Sequence, residues 1–106
     1  MAQKPKRART ERREGERAAS RLSRDREKLF RLSPGGSPEL PIEAPSASVV
    51  ETHATGMPCP RCDGQHAVEE HAAVTGPHGA RLREARLRCR RCGSQRSLFF
   101  RLPLLN

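Results

Sequence analysis

The feature that most constrains this chain is a matching pair of cysteine motifs. Cys59 and Cys62 are separated by two residues, as are Cys89 and Cys92, and 26 residues lie between the motifs. A two-residue gap lets both thiolates of a motif point inward from one tight turn, and two such turns brought together form a tetrahedral cage of four sulfurs. We therefore predict that Cys59, Cys62, Cys89 and Cys92 hold one structural Zn²⁺ ion.

A metal matters here because the chain has little else to fold around. Of its 106 residues only 34% are hydrophobic and 3% are aromatic, and Trp and Tyr are absent. Small chains with weak cores usually need a metal, disulfides or a partner to hold one structure. This composition excludes folds with a deep substrate cavity. We expect neither a small-molecule substrate nor an enzymatic activity.

The cysteine quartet has other interpretations. A thioredoxin-like redox motif needs one CxxC at the start of a helix in a βαβ setting, which the pattern of this chain does not contain. Disulfides and an iron–sulfur cluster remain as alternatives to zinc. The sequence shows no apolar stretch long enough to span a bilayer and no apolar core of a secretory signal, so we expect a cytoplasmic protein without a membrane partner. Thiols stay reduced in that compartment, which favours the metal.

The residues between and after the motifs have the pattern of a β-sheet. Residues 67–75 and 81–88 are predicted to be the two arms of a hairpin with a turn at 75–79, and residues 97–102 to be a third strand. The expected fold is small and metal-stabilised, with two cysteine turns on a three-stranded antiparallel sheet.

At these residues the chain resembles a zinc ribbon. The resemblance covers residues 57–102 and rests on Cys59-Pro60-Arg61-Cys62, on Cys89-Arg90-Arg91-Cys92-Gly93 and on the strand that follows. The family includes modules of transcription elongation factors, RNA polymerase subunits, topoisomerases and ribosomal proteins. In the elongation-factor ribbons an acidic pair at the hairpin tip assists RNA cleavage. The tip here, residues 76–79, has no acid, so the resemblance does not imply that activity.

Charge divides the chain into segments. Residues 1–32 are strongly basic and are predicted to be a charged helix or a disordered arm. Residues 33–56 contain no Lys or Arg and are rich in Pro, Gly and Ser, which predicts a linker. Within it, residues 46–52 are as well suited to a short strand as to extended chain. The zinc ribbon follows at 57–102, and 103–106 form a tail.

The formal net charge of +9 indicates a polyanionic partner. We expect nucleic acid, DNA or RNA, or a complex that handles nucleic acid. The predicted phosphate contacts on the ribbon are Arg83, Arg86, Arg88, Arg90 and Arg91. The alternative is a zinc module that docks onto a protein complex through the strand edge carrying Leu98, Phe100 and Leu102, without touching nucleic acid. The sequence leaves the oligomeric state open.

Two patterns resemble catalytic motifs but do not meet their requirements: a pair of histidines and a pair of adjacent glutamates. His66 and His71 flank Glu69 and Glu70, but their spacing is one residue longer than the i,i+4 spacing of metalloprotease helices, and the segment is predicted to be a strand. Glu69 and Glu70 are adjacent, so a regular strand would place them on opposite faces and they could not act as a carboxylate pair.

Overall fold

The computed structural model describes residues 7–103, within which it contains two helices and four strands. The helices are α1 (Ala8–Arg31) and α2 (Ala47–Gly56), and the strands are β1 (Ile42–Glu43), β2 (His66–Thr75), β3 (Arg81–Cys89) and β4 (Gln95–Arg101). A 3₁₀ turn, Pro77–Gly79, joins β2 to β3. Residues 1–6 of the basic segment and 104–106 of the tail lie outside the described residues.

The sheet has four strands and is mixed, not three-stranded and antiparallel as predicted. Its order is β1-β4-β3-β2. The three strands expected from the sequence pair antiparallel along their lengths. The addition is β1, whose residues Ile42 and Glu43 pair in parallel with Phe100 and Arg101. A strand of two residues is too short to show a period-2 pattern, so β1 had no sequence signal.

A small hydrophobic core lies on one face of the sheet. Ala85 and Leu87 of β3 and Leu98 and Phe100 of β4 are fully buried, because alternate residues of a strand share a face. The core is completed by α2, which packs on β2 and β3 through Val50 and Ala54. Since Leu98 and Phe100 are both 0% exposed, this face of β4 is interior, and the predicted docking edge is not available to a partner.

The segment predicted to be a linker contains a helix that closes this core. Residues 46–52 lie at the start of α2 and not in a strand. Two adjacent β-branched valines favour a strand by local propensity. Val50 and Ala54 nevertheless lie four residues apart, on one face of the helix, and both are fully buried in the core; Met57, directly after the helix, packs against the same core. Burial of that face outweighs the propensity of Val49 and Val50.

The basic N-terminal segment is a long helix that packs on the rest of the molecule only near its end. Every residue from Arg7 to Leu22 is exposed, whereas Glu27 is buried and Phe30 packs against the core. The 24 residues of α1 span about 36 Å at 1.5 Å per residue. The first 15 or so therefore project from the sheet as an arm.

The two neighbouring valines of α2 provide a matched test of its packing. Val50→Ala should lower the free energy of unfolding by about 2 kcal/mol, because it removes two buried methyl groups. Val49, 38% exposed, is the control, and Val49→Ala should change stability by less than about 0.5 kcal/mol. Urea unfolding of the metal-loaded protein measures both. Equal effects of the two substitutions would contradict the packing of α2 described here.

Candidate metal centre

The two cysteine motifs fold into turns with the same hydrogen bonds. In the first turn the Cys59 N–H donates to the Gly64 carbonyl at 2.9 Å, and the Asp63 N–H donates to the Cys59 carbonyl at 2.8 Å. In the second turn the Cys89 N–H donates to the Ser94 carbonyl at 2.9 Å, and the Gly93 N–H donates to the Cys89 carbonyl at 3.0 Å. The sequence repeat therefore folds into two similar turns. We call residues 59–64 the first knuckle and residues 89–94 the second knuckle.

Each knuckle needs a residue with a positive φ at the same position. Gly93 has φ +76°, and its counterpart Asp63 has φ +62°. Asp is one of the few side chains that tolerate this region. The next residue, Gly64, is required for a different reason. A Cβ there would lie 2.8 Å from the Cβ of Arg91 and 2.9 Å from the sulfur of Cys89. Gly64 therefore lets the two knuckles approach each other.

The approach of the knuckles brings all four sulfurs together. The ligand atoms of Cys59, Cys62, Cys89 and Cys92 lie within 4.8 Å of one another, and the contacts between the knuckles are 3.7 Å for Cys59–Cys92 and 3.4 Å for Cys62–Cys89. A tetrahedral centre with metal–sulfur bonds of about 2.3 Å has sulfur–sulfur edges of about 3.8 Å. The four predicted ligands thus form a metal-binding cluster of the right size.

Hydrogen bonds lower the pKa of two of the four cysteines, Cys59 and Cys89. Burial raises the pKa of the Cys59 thiol, but hydrogen bonds from the Ser94 hydroxyl and from the N–H groups of Arg61 and Cys62 lower the pKa from 9.0 to about 6. The pKa of Cys89 is lowered chiefly by the N–H of Cys92, which donates to its sulfur at 3.4 Å. Cys59 and Cys89 therefore lose their protons more readily than ordinary thiols, and the thiolate is the form that binds a metal.

Cys62 behaves in the opposite way. Burial and its contact with the Cys89 sulfur raise its pKa from 9.0 to about 12, so without a cation Cys62 keeps its proton at neutral pH. Metal binding must displace that proton, because the ligand is the thiolate. The cluster therefore completes its set of four charged ligands only around a cation.

The protein supplies every position of a four-coordinate centre. Cys59 and Cys89 are buried, Cys62 is half-buried and Cys92 is exposed. Four thiolates leave no coordination position for water or substrate, which is the arrangement of structural sites and not of catalytic ones. Arg91 donates from Nη1 to the Cys62 carbonyl at 3.0 Å and places positive charge beside the sulfurs.

A buried polar network lies beside the metal centre, and sequence reasoning missed it. The guanidinium of Arg96, with 2% of the side chain exposed, binds both carboxylate oxygens of Glu27 at 3.3 and 3.1 Å. Its Nη1 also donates to Nε2 of His66, whose Nδ1 donates to the Met57 carbonyl. One signal was present: Arg96 has the same strand parity as Leu98 and Phe100, which predicts a buried charge that needs a partner.

Ser94 connects this network to the sulfurs. Arg96 Nη2 donates to the Ser94 hydroxyl oxygen at 2.8 Å, and that oxygen lies 3.0 Å from the sulfur of Cys92 and 3.6 Å from that of Cys59. The hydroxyl accepts from Arg96 and is left with one proton, which it donates to sulfur. His66 is not among the clustered ligands; its side chain instead contacts Arg96.

The five arginines predicted to contact phosphate do not form one surface. On β3 Arg83 has the parity of the core residues Ala85 and Leu87, whereas Arg86 and Arg88 face the other side. Arg83 lies near the far end of β3, about 20 Å from the knuckles, and Arg90 and Arg91 belong to the second knuckle. Arg90 is exposed and, among residues 7–103, makes no ion pair.

Two of these arginines are already paired with acids. Glu70 lies 3.1 Å from Nη1 of Arg86, and Glu69 lies 3.1 Å from Nε of Arg88. A β-bulge at Val68/Glu70 makes both pairs possible, because the extra residue puts the two adjacent glutamates on the same face. The expectation that Glu69 and Glu70 point to opposite faces is therefore wrong, and most of the positive charge of Arg86 and Arg88 is balanced locally.

Substitution of Gly64 tests whether the close approach of the knuckles creates the metal site. Gly64→Ala should weaken metal binding by about tenfold or more, because the new methyl group would overlap the Cys89 sulfur and force the knuckles apart. Gly56→Ala is the matched control, since a Cβ at Gly56 meets nothing within 4 Å. Competition with a chromophoric chelator measures both affinities. Equal affinities for the two variants would contradict the role given to Gly64.

Within the described part of the chain, no helix is long and apolar enough to cross a membrane. No protein-family model matches this chain, and searches of curated proteins and of solved structures find no significant match. The chain is therefore assigned, from its own geometry, as a four-cysteine metal-binding module with a four-stranded mixed sheet and an N-terminal helix.

Proposed function

We propose that the metal is zinc and that residues 57–102 are a zinc-ribbon variant with an added strand and helix. Four thiolates in a closed tetrahedral arrangement suit Zn²⁺, which has no geometric preference of its own and no redox chemistry. The role of the ion is structural, because it joins the start of β2 to the end of β3 where the core is small. The protein is accordingly proposed to be non-enzymatic.

The purified protein should contain one zinc ion per chain. Native mass spectrometry before and after treatment with a chelator counts the ion, and far-ultraviolet circular dichroism follows the fold. Removal of zinc should abolish the sheet signal, because the binding free energy of such sites, roughly 10–16 kcal/mol, exceeds the stability of a small domain. A metal-free protein with an unchanged sheet, or one holding iron, would contradict the assignment.

We further propose that the protein binds nucleic acid through a row of arginines on α1. The observation that carries this proposal is the spacing of Arg9, Arg13, Arg17 and Arg21 on a helix segment that is exposed on every side. Residues four apart lie on the same side of a helix, so these four form one ridge, with about 6 Å of rise between neighbours. We call them the arginine ridge.

The arginine ridge keeps a positive charge along the helix. Its members lie at i,i+4 and repel one another, and the three glutamates of residues 7–22 offset only part of the charge of the six arginines there. These residues have no buried apolar face. A polyanion relieves that repulsion, and each phosphate that is neutralised releases counterions. The projecting helix, about 10–12 Å in diameter with its side chains, has the width of the major groove of B-form DNA. The major groove of an RNA duplex is too narrow for it, so duplex DNA is the preferred form.

The alternative of a protein-docking module is supported by a different part of α1. Leu22 and Leu29 of α1 and the capping residue Leu32 are 52%, 64% and 74% exposed, and their spacing of seven and three residues puts them on one side of the helix and its end. Exposed leucines could bind an apolar surface of a partner protein, and salt does not weaken such hydrophobic contacts. Binding that persists at high salt and survives loss of the arginine ridge would favour this alternative.

Replacing the arginine ridge tests the proposed nucleic-acid contact. Zinc-loaded protein carrying Arg9→Gln, Arg13→Gln, Arg17→Gln and Arg21→Gln should lose most of its affinity for duplex DNA. Its log–log salt dependence should become shallower by about 3.6, at 0.9 for each phosphate contact. Gln keeps a high helix propensity, so α1 should persist. Fluorescence anisotropy with labelled duplex DNA, duplex RNA and single-stranded RNA, at about 50–200 mM salt, measures affinity and slope.

The matched control removes the same charge from the sheet and the second knuckle through Arg83→Gln, Arg86→Gln, Arg88→Gln and Arg90→Gln. Binding to DNA should fall much less in this variant. If the control loses binding and the ridge variant does not, the contact surface is the one predicted from the sequence. If the unmodified protein binds none of the three nucleic acids at low salt, the proposed function is wrong.

A further inference from the structure

A buried carboxylate joins α1 to the residues around the metal centre. Glu27 is the one residue of the helix that is buried, with its side chain 7% exposed. Its two charged partners are arginines, one from each side of the metal centre. Arg61 of the first knuckle has its Nε 3.8 Å from Oε2, a charge contact without a hydrogen bond, and Arg96 follows the second knuckle and binds both carboxylate oxygens.

The same guanidinium reaches the sulfurs through one hydroxyl group. Arg96 donates to the oxygen of Ser94, and Ser94 lies against the sulfurs of Cys92 and Cys59, one ligand from each knuckle. A continuous path of hydrogen bonds therefore runs from α1 to the metal centre through Glu27, Arg96 and Ser94. The Arg96 guanidinium also lies 6.0 Å from the centre of the Phe30 ring, a second contact of α1 with the same group.

We propose that the metal centre sets the direction of the basic helix, through the path Glu27–Arg96–Ser94. With a metal bound, the two knuckles have one relative position, and the Ser94 hydroxyl lies against one sulfur of each knuckle, Cys92 at 3.0 Å and Cys59 at 3.6 Å. Ser94 then fixes one edge of the Arg96 guanidinium, while Arg61 and Arg96 hold Glu27 between the knuckles. Without the metal the knuckles are no longer held together, and the anchor of α1 loses its geometry.

This coupling predicts an effect at each end of the path. A coupling free energy is reciprocal, so if metal binding favours the docked helix, the docked helix favours metal binding by the same factor. A change at Glu27, which touches no metal ligand, should therefore weaken zinc affinity. A change at Ser94, which touches no residue of α1, should loosen the helix. Zinc affinity is therefore the test for the Glu27 variant, and docking of α1 is the test for the Ser94 variant.

The experiment uses the full chain in its zinc-loaded form. Zinc affinity is measured by competition with a chromophoric chelator, and docking of α1 by amide hydrogen exchange of residues 23–31. We expect Glu27→Gln to lower zinc affinity about five- to tenfold, and Ser94→Ala to speed exchange of those amides by a similar factor. Asp25→Asn is the charge control, because it removes the same charge from an exposed position in the same turn of helix and should change neither value. Val50→Ala is the stability control: it lowers stability in the core, away from the path, and shows how far destabilisation alone weakens zinc binding. For the same loss of stability, Glu27→Gln should weaken zinc binding more than Val50→Ala does.

Both cross-effects are required. If Glu27→Gln binds zinc as the unmodified protein does, or if Ser94→Ala leaves the exchange of α1 unchanged, the coupling is overturned. Should Glu27→Gln fail to fold because Arg96 is left buried without its carboxylate, Ser94→Ala alone decides. Neither readout involves nucleic acid, so a failure of this coupling and a failure of the proposed DNA binding are observed separately.

Discussion

The convergence of four sulfurs is the contact on which the rest of this structure depends. Cys59 precedes β2 and Cys89 ends β3, so the knuckles close the open end of a long hairpin. The buried core is small, and three of its residues are alanines: Ala44, Ala54 and Ala85. A core of that size contributes little hydrophobic free energy. The closed arrangement of four cysteines provides the missing restraint, and Gly64 makes it sterically possible.

The high arginine content is divided among different roles. Arg96 is buried and organises a polar network, and Arg91 supports the first knuckle through the Cys62 carbonyl. Arg86 and Arg88 are balanced by the two glutamates that the β-bulge brings to their face. The arginines that remain exposed in a regular array are those of α1. The net charge of the chain therefore does not show which surface is positive, because that depends on which arginines are already paired.

A rigid metal module and a projecting basic helix complement each other physically. A helix with no buried face over its first four turns contributes no stability of its own and needs a base that holds its other end. Glu27 supplies the polar part of that attachment and Phe30 the apolar part, both on the core-facing side of the sheet at its knuckle end. The proposed DNA contact and the proposed coupling thus concern opposite ends of one helix.

What the sequence determined by itself was local and periodic. The spacing of the four cysteines predicted the metal-binding cluster, the hairpin arms and the strand after them were close to β2, β3 and β4, and the basic segment was helical over its described residues. Four features were decided only by the tertiary structure. They are the mixed sheet, the helix over residues 47–56, the bulge that pairs Glu69 and Glu70 with arginines, and the burial of Arg96. Each of these depends on a partner distant in the chain: Phe100 for Ile42, the sheet for Val50, Arg88 for Glu69, and Glu27 for Arg96. Spacing within a segment encodes the local geometry of the backbone, but a side chain becomes buried or paired only when another segment arrives beside it.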